Sequence, residues 1–142
     1  MDMKAINTNY MCGFIDADGC LSITRSEHSY NSQVYIEYKL SVQICNTNKA
    51  LLDQILKQYG GNIVKFNKIK ANHKQVYLWY LNNRSSVNLL NLIKNKLLIK
   101  KQQAYLLLEL NKLKNNKVRS VMMKEIQRSI YFKVKELNKR GV

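Results

Sequence analysis

The sequence predicts an α+β fold: a four-stranded antiparallel sheet with its helices packed on one face, followed by further helices at the C-terminal end. Three observations lead there. Residues 33–45 alternate apolar and polar side chains over a span longer than most strands. Two pairs of strand-like segments each follow a segment with helical spacing. The last third of the chain shows helical spacing only. The predicted order is α-β-β-α-β-β-α-α-α.

Taken in order, residues 10–17 (YMCGFIDA) form a short apolar helix, which Asn7, Thr8 and Asn9 can cap and Gly19 can end. Residues 20–25 (CLSITR) alternate as a half-buried strand, and the polar, turn-rich 26–32 reads as its connection to the next. Within 33–45, Val34, Ile36, Tyr38, Leu40, Val42 and Ile44 share one face; Tyr35, Glu37, Lys39, Ser41, Gln43 and Cys45 share the other. At ~3.3 Å per residue this strand runs roughly 43 Å. One apolar face and one hydrogen-bonding face describe a sheet covered on one side only. Residues 46–59 place Leu51, Leu52, Ile55, Leu56 and Tyr59 at helical spacing, and Gly60 and Gly61 stop the helix. Residues 62–67 and 75–81 are the second pair of strands, joined by a basic loop over 68–74. Three helices complete the chain: 85–97, with Val87, Leu90 and Ile93 or Leu97 inward; 100–113; and, after a break at 115–117, an amphipathic helix over about 118–138. Residues 1–142 read as a single domain.

Lys and Arg number 24 against 9 Asp and Glu, a net charge of +15 in 142 residues. That excess argues against a neutral metabolic enzyme and points to a polyanionic partner. The lysines recur from Lys39 to Lys139 between apolar positions, so the charge decorates a folded surface rather than a tail. On charge alone, a ribosomal or general nucleic-acid-binding protein would fit equally well. No run approaches ~18 apolar residues, so no membrane span is expected. The first residues lack the basic start and apolar stretch of a secretion signal, so secretion is not expected either. Cys12, Cys20 and Cys45 are odd in number and lack CxxC spacing, which speaks against a disulfide framework or a zinc ribbon. With 17 Asn and 19 Lys, the composition is that of an AT-rich gene, as in an organelle.

Chemistry concentrates in residues 11–19, MCGFIDADG, which hold two of the four aspartates of the chain. Asp16 and Asp18 fall at the C-terminal end of an apolar helix, where the helix dipole repels anions by ~0.3–1 kcal/mol each. A bound cation would remove that penalty. Carboxylate, backbone carbonyl and water oxygens make a hard-cation site, which suits Mg2+. Asp-Gly is also a common turn, and Asp18 with Gly19 could serve only to stop the helix before a strand.

This segment resembles the motif of the LAGLIDADG homing endonucleases, with Met11 and Cys12 in place of the usual Leu and Ala. The resemblance extends over roughly residues 9–141. ICNTNKALL at 44–52 is similar to the family's strand-to-helix turn, LLIKKQQA at 97–104 to its basic active-site segment, and VKELNKRG at 134–141 to the tail of organellar single-motif members. The α-β-β-α-β-β order is that family's half-domain.

The resemblance implies a site-specific double-strand DNA endonuclease. It would hydrolyse one phosphodiester on each strand of a long pseudo-palindromic target, across the minor groove, with Mg2+ as cofactor. The motif occurs once, which implies a homodimer. Asp18 matches the metal-ligating aspartate and Ala17 the backbone carbonyl ligand, while Asp16 matches the first, usually structural acid. Lys100 stands at the active-site lysine, where a cation would stabilise charge on the phosphorane or lower the pKa of water. Asn46 falls where many members carry Gln, one methylene longer. Cys12, Gly13 and Asp16 are expected at the subunit contact, where a glycine lets two motif helices approach closely. A globule of this length has a radius of gyration near ~15 Å, hence a width of about 37 Å, which spans about 11 base pairs at ~3.4 Å each. One subunit would read a half-site, and two a pseudo-palindrome of about twice that length.

An alternative within the same resemblance is an RNA maturase that assists splicing of its host group I intron. A third reading is a DNA-binding repressor using the same sheet. An intact Asp18 favours the nuclease, since RNA binding does not need the metal site. The implied partners are double-stranded DNA, a second copy of the chain and host intron RNA, in a mitochondrion or chloroplast.

Base readout is expected from the open sheet face. Its candidates are Ser22, Thr24 and Ser26, then Tyr35, Glu37, Lys39, Ser41 and Gln43, then Lys65, Asn67, Gln75 and Tyr77. Lys68, Lys70 and Lys74 are expected on phosphates. His28 and His73 read as isolated loop residues.

Overall fold

The structure, a computed structural model, describes residues 6–66, 70–114 and 121–139. Its elements are α1 (Thr8–Asp18), β1 (Gly19–Tyr30), β2 (Gln33–Asn46), α2 (Lys49–Tyr59), β3 (Asn62–Lys65), β4 (Tyr77–Asn82), α3 (Asn83–Ile93), α4 (Lys101–Lys114) and α5 (Val121–Lys139). The predicted α-β-β-α-β-β-α-α-α order is therefore the observed one. The four strands form one antiparallel sheet in the order β1-β2-β4-β3, so two hairpins meet at β2 and β4.

Asparagines set two helix starts. The Asn7 side chain accepts from the Tyr10 N–H at 2.8 Å, and that of Asn48 from the Leu51 N–H at 3.1 Å. The second cap places the start of α2 later than predicted, because residues 46–48 are used in the turn that precedes it. Gly60 and Gly61 end α2 at φ 79° and 99°, backbone angles that favour glycine. Gly19 ends α1 for a different reason. Its φ is an ordinary −83°, but a Cβ there would sit 2.8 Å from the Ile15 backbone.

The β1–β2 hairpin is longer than expected. The polar stretch 26–32 is not a connection: β1 continues to Tyr30, and the turn is only Asn31 and Ser32, at φ 49° and 64°. Positive φ at both central residues gives a tight turn whose twist matches that of the strands. The sequence hid this because the outer half of the hairpin has no covered face. Tyr38, Leu40, Val42 and Ile44 are buried as predicted, but Val34 and Ile36, on the same side of β2, are 64% and 46% exposed. The hairpin thus projects past the core by about half its length.

The core lies between the apolar sheet face and the helices. Leu21 and Ile23 from β1 and Trp79 and Leu81 from β4 meet Met11 and Ile15 of α1, Leu90 and Ile93 of α3, and Leu107 of α4. Trp79 is fully buried and its Nε1–H donates to the Gly60 carbonyl at 2.8 Å. It lies opposite Ile44 on β2 and Ile63 on β3. That register places Tyr77 opposite Asn46 and Lys65, on the helix-covered side. Tyr77 and Lys65 were expected on the open face, and the assignment is one residue out of phase: with a side-chain period of two, such a slip moves a whole strand to the other face. The residues that β3 and β4 present on the open side are Asn62 and Val64, and Leu78, Tyr80 and Asn82.

The last helix is described from Val121, so residues 118–120 of its predicted span lie outside the described residues, as do Arg140 and Gly141 of the tail. Its amphipathic face is only partly used: Ile130 and Val134 are buried, whereas Met122, Ile126 and Phe132 are exposed. The C-terminal half anchors to the sheet, where Asn138 Nδ2 donates to the Leu21 carbonyl at 3.0 Å.

Candidate active site and the open sheet face

Helix α1 turns Met11, Cys12 and Ile15 into the core and leaves Tyr10, Gly13 and Ala17 outward. At its C-terminal end two side chains lock it to the segment before α4. The Asp16 carboxylate accepts from three successive backbone N–H groups, Leu98 at 2.8 Å, Ile99 at 3.2 Å and Lys100 at 3.0 Å. In return, Lys100 Nζ donates to the carbonyls of Ile15 at 2.9 Å and Asp16 at 3.0 Å. Each end-group answers an electrostatic need. The carboxylate sits at the start of α4, where unpaired N–H groups favour an anion, and the ammonium sits on the last carbonyls of α1, where a cation is favoured.

Three expectations bear on this end of α1. The penalty expected for both acids at the end of α1 is relieved within the chain for Asp16, and by Lys100 for the carbonyls. Lys100, placed at the active-site lysine by resemblance, is half-buried with its amine committed to α1. Of the three residues expected at the subunit contact, Asp16 is engaged by α4 and Cys12 is 4% exposed, its Sγ 4.0 Å from the Ile93 carbonyl. Only Gly13 stays open: beyond its own helix backbone and chain neighbours, no atom among the described residues lies within 4 Å of where a Cβ would be.

Asp18 stands apart from the clamp. It is exposed and, among the described residues, has no hydrogen-bond or ion-pair partner. Ala17 beside it is exposed, and its carbonyl belongs to the last turn, which lacks helical donors. Gly19 pairs with Ile44, so Asn46, two residues further along β2, lies at the same end of the sheet. Its Oδ1 accepts from the Asn48 N–H at 2.8 Å, which leaves its amide hydrogens to donate. Among the described residues no three His, Cys, Asp or Glu side chains stand together as a metal cage. One chain therefore offers a single carboxylate and a neighbouring carbonyl. This all-oxygen pair fits a hard cation such as Mg2+ if water, phosphate or a second copy completes it.

On the open face, Ser22, Thr24 and Ser26 of β1 lie beside Ser41, Lys39 and Glu37 of β2. One row runs across the whole sheet: Cys20, Gln43, Tyr80, Asn62. Ser41 is the exception among the expected readers. It is 4% exposed, and its Oγ accepts from Gln43 Nε2 at 3.1 Å, so it orients Gln43 rather than reaching outward itself. Glu37 is held by His28, whose Nε2 lies 2.9 Å from its carboxylate; His28 is a strand residue, not a loop residue. The Tyr35 hydroxyl donates to Gln33 Oε1 at 2.8 Å. Gln75 precedes β4 and donates to the carbonyls of Phe66 and Val76, closing the neck of the basic loop. Lys70 and Lys74 are exposed in that loop, while Asn67 and Lys68 lie outside the described residues. Tyr80 and Asn62 were missed from sequence, and the signal that locates them is Trp79, whose size fixes which side of β4 is inward. Cys20 and Cys45 also face the open side, and burial, then the neighbouring Cys20, pushes the Cys45 thiol above its ordinary value.

Fold and site together define an α+β half-domain with an uncovered polar sheet and an acid at the end of its first helix. The chain belongs to the LAGLIDADG endonuclease family, whose model matches residues 11–110. Its fold is similar to that of three solved structures. The homing endonuclease I-CvuI in complex with its target and calcium superposes with a TM-score of 0.70 at 24% identity, over 92% of this chain and 80% of that one. The archaeal intron-encoded homing endonuclease I-Vdi141I complexed with DNA gives 0.74 at 20% identity, over 95% and 86%. The homing endonuclease I-TnaI gives 0.64 at 17% identity, over 99% of both chains. No curated protein sequence matches the chain.

Proposed function

We propose that the chain is a site-specific DNA endonuclease that cuts both strands of a long pseudo-palindromic target as a homodimer with Mg2+. The observation that carries this reading is the unpartnered Asp18 at the junction of α1 with the open, hydrogen-bonding sheet. Family membership supports the endonuclease chemistry. The DNA, calcium and magnesium named for the I-CvuI complexes support the substrate class and the cation. Asp18 and the Ala17 carbonyl would hold Mg2+, which supplies Lewis acidity and an activated water. Lys100 fixes the helix end that presents Asp18, and brings positive charge to it. Asn46 has amide hydrogens free to orient solvent at the same end of the sheet. Incubating the protein with the uninterrupted allele of its host locus and Mg2+ should give linear DNA with defined ends. Failure to cut either strand of that allele overturns the reading.

The dimer rests on Gly13. A glycine inside a helix destabilises it by ~0.8–1.0 kcal/mol relative to Ala, and nothing within the subunit requires one there, since the space for a Cβ is empty. The reason then lies outside the subunit. The surface around it is apolar: Tyr10 and Ala17 are exposed on the same helix face, and Leu98 and Ile99, tethered to Asp16, are 89% and 72% exposed. Gly13→Leu should therefore fold normally by circular dichroism yet sediment as a monomer where the parent is a dimer. A Gly13→Leu chain that stays dimeric would remove this face from the contact.

Recognition separates into two measurable parts. Lys70→Ala or Lys74→Ala should each lower the slope of log affinity against log salt by ~0.9 and weaken all sequences alike. Gln43→Ala should leave that slope unchanged and relax one base preference by ~1–3 kcal/mol. Salt-titrated binding to a randomised site library reads both, and a base preference that moves with Lys70 instead of Gln43 contradicts the assignment.

A further inference from the structure

We propose that the β3–β4 half of the open sheet face recognises thymine C5-methyl groups in the DNA major groove through the apolar side chains of Val64, Leu78 and Phe66. The pairing register divides that face by chemistry. Ser22 with Ser41, and Cys20 with Gln43, Tyr80 and Asn62, are rows that carry hydrogen-bonding groups. The next row, Cys45 with Leu78 and Val64, carries only aliphatic carbon and a thiol. One row further out, the Phe66 N–H donates to the Val76 carbonyl at 3.0 Å, so the same register continues and both side chains face the same way. Val64 and Phe66 are 42% and 44% exposed, and Leu78 is half-buried.

The hydrogen-bonding residues of this half are committed elsewhere. Lys65 and Tyr77 lie on the helix-covered side. Gln75 donates to the Phe66 and Val76 carbonyls, which uses both hydrogens of its amide.

The occupant follows from the surroundings. The apolar rows lie between Gln43 and Tyr80 on one side and the exposed Lys70 and Lys74 of the β3–β4 loop on the other. A duplex that meets the polar rows and sets its phosphates on those lysines crosses the apolar rows between them. In the major groove the thymine methyl is the apolar group on the base edges. Adjacent rows on one face are two residues, ~6.8 Å, apart, which is about two base-pair steps at ~3.4 Å each. The expected subsite is a short A·T-rich stretch with thymines about two steps apart. This proposal rests on the DNA-binding function proposed above and adds which bases one part of the sheet selects.

Selection from a randomised duplex library, with Ca2+ in place of Mg2+, should return such a stretch in each half-site. Deoxyuridine then removes the methyl and keeps the base pair and its O4 acceptor. Each substitution there should weaken binding by the parent about fourfold, the equivalent of ~0.8 kcal/mol for one buried methylene-sized group. A Val64→Ala, Leu78→Ala double variant should bind the two duplexes equally. Val64→Ala alone, at an exposed position, should reduce the difference with an unchanged circular dichroism spectrum. Parent binding that ignores the methyl, or a uracil penalty that is the same in every variant, overturns the proposal. So does a change in the sedimentation of the free variants with the thymine preference intact, since the row would then be a protein contact. Cleavage of the selected duplex in Mg2+ is read separately. Thymine preference without cutting overturns the nuclease and keeps this proposal, whereas cutting without thymine preference does the reverse.

Discussion

Asp18→Asn should lower cleavage by at least about 1,000-fold, or ~4 kcal/mol in the barrier, while leaving DNA affinity unchanged. The substitution keeps the shape of the side chain and removes the charge that would hold the cation. Nothing in the subunit depends on that charge, because Asp18 has no partner among the described residues, in contrast to Asp16, which accepts three backbone hydrogen bonds. Stability should move in the opposite direction. An anion at a helix C-terminus is unfavourable by ~0.3–1 kcal/mol, so the Asn variant should melt slightly higher than its parent. Cleavage assays, binding isotherms and thermal melts on one preparation check all three parts. Near-parental cleavage in Mg2+ would sink the metal assignment, and a lower melting temperature would show an internal role for the carboxylate.

The largest effect on stability is expected from Trp79→Ala, at ~3–5 kcal/mol. Trp79 is fully buried, lies in the central row of the sheet between Ile44 and Ile63, and bonds the Gly60 carbonyl that ends α2. Removing it opens a cavity and orphans that carbonyl. It also takes away the side chain that decides which face of β4 is inward, since Tyr77, Leu78, Tyr80 and Leu81 are apolar enough for either side. Trp79→Phe should keep the phase and lose only the hydrogen bond and part of the volume. Urea melts measure both, and a loss below ~1 kcal/mol for the alanine variant would mean that the site can collapse around the gap.

Trp79 also explains what was and was not legible in the sequence. The element order was readable because helical and strand periods alternate cleanly up to residue 66 and the last third is purely helical. The faces of β1 and of the inner half of β2 were readable because only one side is apolar. The phase of β3 and β4 was not, because both sides carry large side chains and only the need to bury an indole distinguishes them. Cys12 was placed at the subunit contact by the motif resemblance, whereas the inward helical stripe it completes with Met11 and Ile15 puts it in the core. The Asp16–Lys100 clamp has no local signature, since its partners are 84 residues apart and meet only after the helices pack. The hairpin tip was misread because a strand with neither face covered has no pattern to display.

That uncovered half of the hairpin separates the freedom to change from the requirement to fold. Between Thr24 and Ile36, side chains on both faces are largely free of the core, and substitutions at such positions typically shift stability by no more than ~0.5 kcal/mol. A few residues further in, at Leu21, Leu40 and Val42, the same strands tolerate almost nothing. A lineage carrying this fold can therefore drift in what the outer hairpin touches, one residue at a time, without passing through unfolded intermediates. The acid at the end of α1 and the packing beneath it lie outside that freedom. The two-residue turn at Asn31 and Ser32 gives this freedom a mechanical form: the uncovered ribbon is continuous with the packed one, so new contacts inherit the alignment of the old.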